Sequence, residues 1–312
     1  MTRAELKTAR LTLRPVSLED EAAVVAALND IAVTGWLAVV PFPYTPADFQ
    51  HFLTEIAKPG GTFAIDDGEG LAGIVGIGAG KGNGRELGYW FAPRCHGLGY
   101  ATEAARAIVA AALAYNQSDI VSGYFEGNAR SANVLRKLGF VETGRGLRHC
   151  RALDRNRPHV DMLITLAHFT AALPIVARSA RLTYRSMQAT DIEALHALHS
   201  DWAVVRQLGS WPWPPEPDFT ATRAKPFGGE GFVWGVFQAG ALVGTFGLTN
   251  GVVGYSLAPA RWGQGYGYEV ALTAFDHGFK TLSLDEMTAS VWDDNAASLA
   301  LLRKLGDRKS VV

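Results

Sequence analysis

The spacing of hydrophobic and polar positions changes period along the chain in a definite order. Residues 9–16 (Ala-Arg-Leu-Thr-Leu-Arg-Pro-Val) alternate, which predicts an edge strand. Residues 18–29 place Ala22, Val25 and Ala26 on one helical face. Pro41-Phe42-Pro43-Tyr44 is an aromatic, rigid loop, after which Thr45 can cap a helix and Pro46 suits its first position. Phe63–Ile65 and Leu71–Ala79 read as strands around the Asp67-Gly68 turn, an antiparallel hairpin signature. Gly80–Gly84 is a turn into a strand at Glu86–Phe91. From about Gly97 to Tyr115 the period becomes helical, with Ala101, Ala104, Ala105, Ile108, Ala112 and Tyr115 on one face. Ile120–Phe125 is the next strand, and Ser131–Leu138 a short helix ended by Gly139. Residues 140–153 and 160–169 close with two strands. The order is βααβββαβαββ, an α/β (α+β) arrangement around a mixed sheet.

Much of this pattern occurs twice. Tyr89-x-x-Ala92-Pro93, Gly97-x-Gly99-Tyr100 and Glu103 are matched by Tyr255-x-x-Ala258-Pro259, Gly263-x-Gly265-Tyr266 and Glu269, at 263 − 97 = 166. Ala180-Arg181-Leu182-Thr183 echoes Ala9-Arg10-Leu11-Thr12 at 180 − 9 = 171, and Gly244-x-x-Gly247 echoes Gly73-x-x-Gly76 at 244 − 73 = 171. Asn295-x-x-Ser298 echoes Asn128-x-x-Ser131 at 295 − 128 = 167. The near-constant offset argues for a tandem duplication. It predicts a first domain at 1–169, a linker at 170–179 and a second domain at 180–312.

Size and charge fit that division. A chain of 312 residues suits two domains. No apolar run reaches the ~18 residues of a membrane span, and Met1–Lys7 lacks the apolar core of a signal peptide. Cys95 and Cys150 are too few for a disulfide framework or a cysteine-rich zinc site, and no metal-ligand spacing stands out. The formal net charge of −1 gives no sign of nucleic-acid binding. The expectation is a cytoplasmic protein with neither membrane nor nucleic acid as partner.

The chemistry centres on Phe91–Glu103. Pro93 ends strand pairing. Gly97 and Gly99 let the backbone turn sharply and approach a ligand. The helix that follows presents unpaired N–H groups, which bind anions and phosphates above all. A plain tight turn would use the same glycines, but two copies in one context favour a phosphate cradle. Neither copy carries the Lys-Ser/Thr of a phosphate-loop nucleotidase. A dinucleotide fold needs a third glycine where Thr102 stands.

Arg94-x-x-Gly97-x-Gly99 resembles the acetyl-CoA loop of GCN5-related N-acetyltransferases, and Gly99-Tyr-Ala-Thr-Glu-Ala104 resembles the subgroup that acetylates ribosomal-protein N-termini and many small amines. The resemblance covers nearly all of 9–169 and, more weakly, most of 180–306. It implies two tandem N-acetyltransferase domains and acetyl-CoA as cofactor. The cofactor would lie on Phe91, Ala92, Arg94, Cys95, His96, Gly97, Leu98, Gly99, Tyr100 and Ala101, with Asn128 and Ser131 at the pantetheine arm and thiol. Strand N–H groups near Phe91–Ala92 would polarise the thioester carbonyl. The acceptor would be a small-molecule or peptide amine attacking that carbonyl directly.

Each implied role has a plainer rival. Asn128 and Ser131 also fit helix capping. Glu86, where related enzymes place a general base, also fits an exposed hairpin end. Leu135 and Leu302 stand where many relatives carry a tyrosine acid, which raises Ser131 as the acid. Arg94 can meet phosphate or solvent. Cys95 and His96 suggest a dyad, but direct amine attack needs no enzyme nucleophile. His149, Cys150 and His159 are candidates for the acceptor wall.

On the weaker resemblance of 180–306, Trp262, Gly263, Gln264, Gly265, Tyr266, Gly267 and Asn295 would make a second cofactor site. Val252 replaces Glu86 there, so the second domain is expected not to catalyse. It reaches Leu305-Gly306 and ends six residues later, without room for two closing strands. Its strand near Glu286–Trp292 would then have an open edge, expected to be covered by the first domain, the linker or a second subunit as in a homodimer. The rival of a different class is a non-catalytic acyl-CoA-binding or regulatory protein.

Overall fold

A computed structural model describes residues 5–57, 60–80, 84–116 and 118–306. The chain divides into two compact units, 1–173 and 174–312. Part of the expected Gly80–Gly84 turn (81–83) and the last residues from 307 lie outside the described residues.

Unit 1 begins with strands β1 (Leu6–Lys7) and β2 (Thr12–Pro15). Helices α1 (Glu21–Leu28), α2 (Ile31–Thr34) and α3 (Pro46–His51) follow. Thr45 and Asp48 close a capping box at the start of α3, with Pro46 in the first turn. Strands β3 (Thr62–Asp66), β4 (Leu71–Ala79) and β5 (Arg85–Phe91) lead into the long helix α4 (Tyr100–Tyr115). β6 (Ile120–Phe125), α5 (Ala129–Leu138), β7 (Val141–Cys150), β8 (Arg155–Ile164) and α6 (Leu166–Ala171) complete the unit.

The eight strands order as β1-β2-β3-β4-β5-β6-β8-β7. β5 and β6 are parallel and pair only at Arg85↔Ile120 and Glu86↔Val121. Beyond Glu86 they diverge, so the outward backbone groups of β5 face a gap. On α4, Ala104, Ala105, Ile108, Val109 and Leu113 are buried. Tyr115, expected on that face, is 92 % exposed. β1 pairs with β2, so β2 is not the edge. Thr165 accepts a hydrogen bond from the His168 amide and starts α6, which ends the last strand at Ile164 rather than 169.

Unit 2 repeats the order: β9 (Ala177–Arg178), β10 (Thr183–Ser186), α7 (Ile192–Leu198), α8 (Trp202–Val205), α9 (Pro217–Arg223), β11 (Gly231–Gln238), β12 (Ala241–Thr249), β13 (Val252–Leu257), α10 (Tyr266–Lys280), β14 (Thr288–Ala289) and α11 (Ala296–Lys304). Its sheet runs β14-β13-β12-β11-β10-β9, and among the described residues nothing corresponds to β7 and β8. Two details mark the duplication. Arg14 and Arg185 make matching double hydrogen bonds to Asp20 and Asp191. Phe42–Pro43 and Trp213–Pro214 are both cis.

The expected strand at Glu286–Trp292 shrinks to the two residues of β14. Thr288 and Ala289 are exposed and Trp292 is 57 % exposed. A strand this short offers few free pairing groups, which is itself a way to blunt an edge.

Candidate functional site

The site of unit 1 is built on the gap between β5 and β6. The Ala92 amide donates to the Ala72 carbonyl at 2.9 Å. That bond makes Phe91↔Gly73 a non-hydrogen-bonded pair, so the N–H and C=O of Phe91 turn away from β4 toward the gap. The Phe91 amide therefore faces the gap, whereas the Ala92 amide is already used.

Gly97 and Gly99 both take φ of +82°, the left-handed region that glycine adopts freely. The amides of Gly97, Leu98 and Gly99 find no acceptor among the described residues. The first-turn amides of Tyr100, Ala101 and Thr102 have no partner within α4. This is a dense set of N–H donors at the positive end of a helix dipole, and it fits an anion with several oxygens such as a diphosphate. Unit 2 copies it, with Gly263 at φ +69°, Gly265 at +79°, and the amides of Gly263, Gln264 and Gly265 likewise without acceptors among the described residues.

The loop side chains brace this shape. Arg94 is committed to Asp67, at 2.7 and 3.1 Å, with further bonds to the carbonyls of Gly70 and Leu71. The guanidinium expected at a phosphate or in solvent therefore ties the loop to the β3–β4 turn. Arg130 donates to His96 Nδ1 at 2.8 Å, so the ring proton is on Nε2, which donates to the Phe91 carbonyl at 3.0 Å. Cys95 is buried, and burial pushes its thiol up. Neither geometry nor protonation makes Cys95 and His96 a nucleophilic pair. Trp262 does the work of His96 in unit 2, its Nε1 donating to the Leu257 carbonyl at 2.8 Å. Gln264 donates to the Ala260 carbonyl, Tyr266 accepts from Gln238, and Gly267 packs beside Leu301.

Asn128 and Ser131 meet at the start of α5. Asn128 Oδ1 accepts the Ser131 amide at 3.1 Å, so the capping reading holds for it, while its Nδ2 group has no partner among the described residues. Asn295 and Ser298 do the same at 3.1 Å. The Ser131 hydroxyl lies 2.9 Å from the Tyr89 hydroxyl, and Ser298 lies 2.8 Å from Tyr255. Burial pushes Tyr89 up to about 12, so it is protonated at neutral pH and can donate. Sequence reasoning missed Tyr89, although it opens both copies of Tyr-x-x-Ala-Pro.

Glu86 sits on the last paired rung before the gap opens. Strand periodicity puts it on the face of β5 opposite Tyr89. Its Oε1 accepts from Arg148 at 3.0 Å. Arg148 Nη1 also lies 3.5 Å from His159 Nε2, and His159 Nδ1 lies 3.1 Å from Asp161. His159 is 5 % exposed, and burial, with Arg148 beside it, lowers its pKa. Of the three residues expected at the acceptor wall, His159 joins this network. His149 is exposed near Asp154, and Cys150 is buried against the carbonyls of Gly35 and Leu37. In unit 2 the position of Glu86 is held by Val252, 45 % exposed. No group of three or more metal-ligating side chains stands together among the described residues, and no helix there is long and apolar enough to cross a membrane.

The family model described as an acetyltransferase (GNAT) domain matches residues 10–141 and again 181–308. An uncharacterized N-acetyltransferase of Bacillus subtilis, YoaA, is 33 % identical over 91 residues, covering 26 % of this chain and 51 % of its own length. The chain thus spans about half of that relative. An uncharacterized N-acetyltransferase of Bacillus licheniformis, p20, is 29 % identical over 145 residues, covering 41 % of this chain and 80 % of its own length. Among solved structures, RimJ of Mycobacterium smegmatis in complex with CoA-disulfide matches 50 % of this chain and 82 % of its own, at 23 % identity and a TM-score of 0.41. With its domain model matched twice and over most of its length, the chain belongs to the GNAT acetyltransferase family and carries two copies of that domain in tandem.

Proposed function

We propose that unit 1 is an N-acetyltransferase that uses acetyl-CoA and a primary amine. Residues 180–312 form a second copy that does not catalyse. The observation that carries this reading is the set of unpaired amides at Gly97–Thr102, held by left-handed glycines after a strand that diverges from its parallel neighbour. Those amides bind the diphosphate of the cofactor. The Nδ2 group of Asn128 is left to meet its pantetheine arm.

Acetyl-CoA supplies the acetyl group as a thioester. The Phe91 N–H polarises the carbonyl in the gap. On one face of the sheet Glu86 takes the proton of the incoming amine, directly or through water, while Arg148 fixes the carboxylate. On the other face the Ser131 hydroxyl gives a proton to the departing sulfur. A hydrogen bond from Tyr89 to the Ser131 oxygen leaves the serine's own proton free for that purpose. Base and acid are thus separated by the strand that carries the gap. Val252 leaves unit 2 without the base, which supports assigning it no catalysis.

The test is thiol release from acetyl-CoA against a panel of polyamines, aminoglycosides, amino acids and short peptides with free N-termini. Amine-dependent release with at least one class supports the reading and names the acceptor. Cofactor binding with no amine-dependent release by any class would favour the non-catalytic acyl-CoA-binding alternative.

A further inference from the structure

The two units also differ on the sheet face that carries α1 and α3 in unit 1 and α7 and α9 in unit 2. Unit 1 fills that face with Leu28, Phe49, Ile74 and Trp90, one packed cluster in which the first three are nearly fully buried. At the repeat offsets (199 − 28, 220 − 49 and 245 − 74 all give 171; 256 − 90 gives 166) unit 2 has His199, Thr220, Thr245 and Ser256. Topology supports the match. Ile74 pairs with Trp90 across β4 and β5, and Thr245 pairs with Ser256 across β12 and β13. Phe49 and Thr220 are each the fourth residue of their helix. All four changes are from apolar to polar, and three shrink the side chain. A cavity of about 420 Å³ lies beside this face, with Thr245, alone of the four, on its wall.

Three of these groups, His199, Ser256 and Thr245, form one chain of known direction, while Thr220 donates to the Glu216 carbonyl instead. His199 is fully buried, its Nδ1 lies 2.9 Å from the Leu195 carbonyl and its Nε2 lies 3.2 Å from Ser256 Oγ. A carbonyl only accepts, so Nδ1 carries the proton and Nε2 accepts from Ser256. Burial pushes His199 down to about 4, which keeps it neutral as this pattern requires. Ser256 has then spent its proton, so Thr245, at 2.9 Å, must donate to it. Thr245 is left with only lone pairs to offer the cavity. Trp211 lies flat on His199, with ring centroids 3.6 Å apart, and supplies an aromatic wall. Arg223 and Lys225 stand at the exposed mouth, with no carboxylate partner among the described residues.

We propose that this cavity binds a small organic acid. Its carboxylate meets Arg223 and Lys225, its apolar or aromatic body lies against Trp211 and Phe227, and its inner end donates a hydrogen bond to Thr245. The volume is ample for a single ring. Unit 2 would then be a ligand-binding copy of the domain, distinct in chemistry from the amine-using unit 1.

Calorimetry on the full chain, with para-hydroxyphenylacetate as the probe and phenylacetate as its donor-free analogue, tests this. The expected result is saturable one-site binding of the probe, with phenylacetate weaker by about tenfold. The paired substitution Arg223→Ala with Lys225→Ala should abolish binding, and Thr245→Val should erase the difference between the two acids. Acetyl transfer by unit 1 should survive all of these, so that failure here is separable from failure of the proposed function. No saturable binding at millimolar probe, or unchanged affinity in the Arg223/Lys225 variant, would overturn the proposal.

Discussion

Arg10 and Glu103, 93 residues apart, clamp the turn between β1 and β2 to the start of α4. Glu103 Oε1 accepts the Thr8 hydroxyl at 2.6 Å and the Arg10 amide at 2.9 Å, and Oε2 accepts Arg10 Nε at 2.8 Å. Arg10 Nη1 then reaches the Leu98 carbonyl at 2.9 Å. Arg181 and Glu269 repeat the clamp, with Ser179 in place of Thr8 and Gln264 in place of Leu98. Two copies of one arrangement tie the glycine loop to the turn that precedes β2 or β10.

Glu103→Gln keeps the shape and removes the charge. It should cost about 1–2 kcal/mol in denaturant unfolding at neutral pH and weaken CoA binding. Burial acts to raise the Glu103 carboxyl, but the bonds from Thr8 and Arg10 outweigh it and hold it below its ordinary 4.5. A lowered carboxyl stabilises fully above its ordinary value and loses that contribution as pH falls through the lowered one. The difference between wild type and variant should therefore close in acid. Equal stability at neutral pH would contradict the role given to the clamp.

Tyr89→Phe removes the hydroxyl 2.9 Å from Ser131 and little else. It should lower turnover by about tenfold with the KM for acetyl-CoA nearly unchanged. Ser131→Ala should lower turnover further, by about a hundredfold. If Tyr89→Phe raises KM and leaves turnover alone, the tyrosine is a packing residue.

Much of this was legible in the sequence because the chain states it twice. The loop, the Asn-x-x-Ser cap and the first strand stood out as echoes at nearly one offset, and the structure arranges each pair alike. What connects the echoes was not legible. Arg10 and Glu103 each belonged to a repeated motif, yet only the fold brings them together. Arg94 pairs with Asp67 across the turn, a contact set by loop geometry and not by local spacing. The strand at Glu286–Trp292 had the right residue types but found pairing for only two, since propensity does not supply a neighbour.

Glu86→Gln should depress turnover at neutral pH, since the amide cannot take a proton. Normal turnover in both Glu86→Gln and Ser131→Ala would mean that positioning alone carries the rate.

His199 ties unit 2 to pH. Its ordinary value of 6.5 falls to about 4 on burial. A histidine lowered by folding leaves stability untouched above the ordinary value. As pH drops from 6.5 toward 4 the unfolded chain takes up the proton first, which should remove about 3 kcal/mol. Six of the eight tryptophans lie in unit 2, so fluorescence-detected unfolding reports mainly on it. His199→Gln should show a distinctly shallower loss over that range, and an identical slope would contradict the assignment.

The account rests on the loop of unit 1 as the cofactor cradle of the active copy, and a matched pair of substitutions tests it most directly. Gly99 and Gly265 hold the same left-handed conformation, so valine at either is equally strained. CoA binding and amine-dependent thiol release should be measured on the full chain carrying Gly99→Val or Gly265→Val. The account predicts that Gly99→Val abolishes acetyl transfer and that Gly265→Val leaves it near wild type. Transfer that survives Gly99→Val, or is lost only in Gly265→Val, would contradict it.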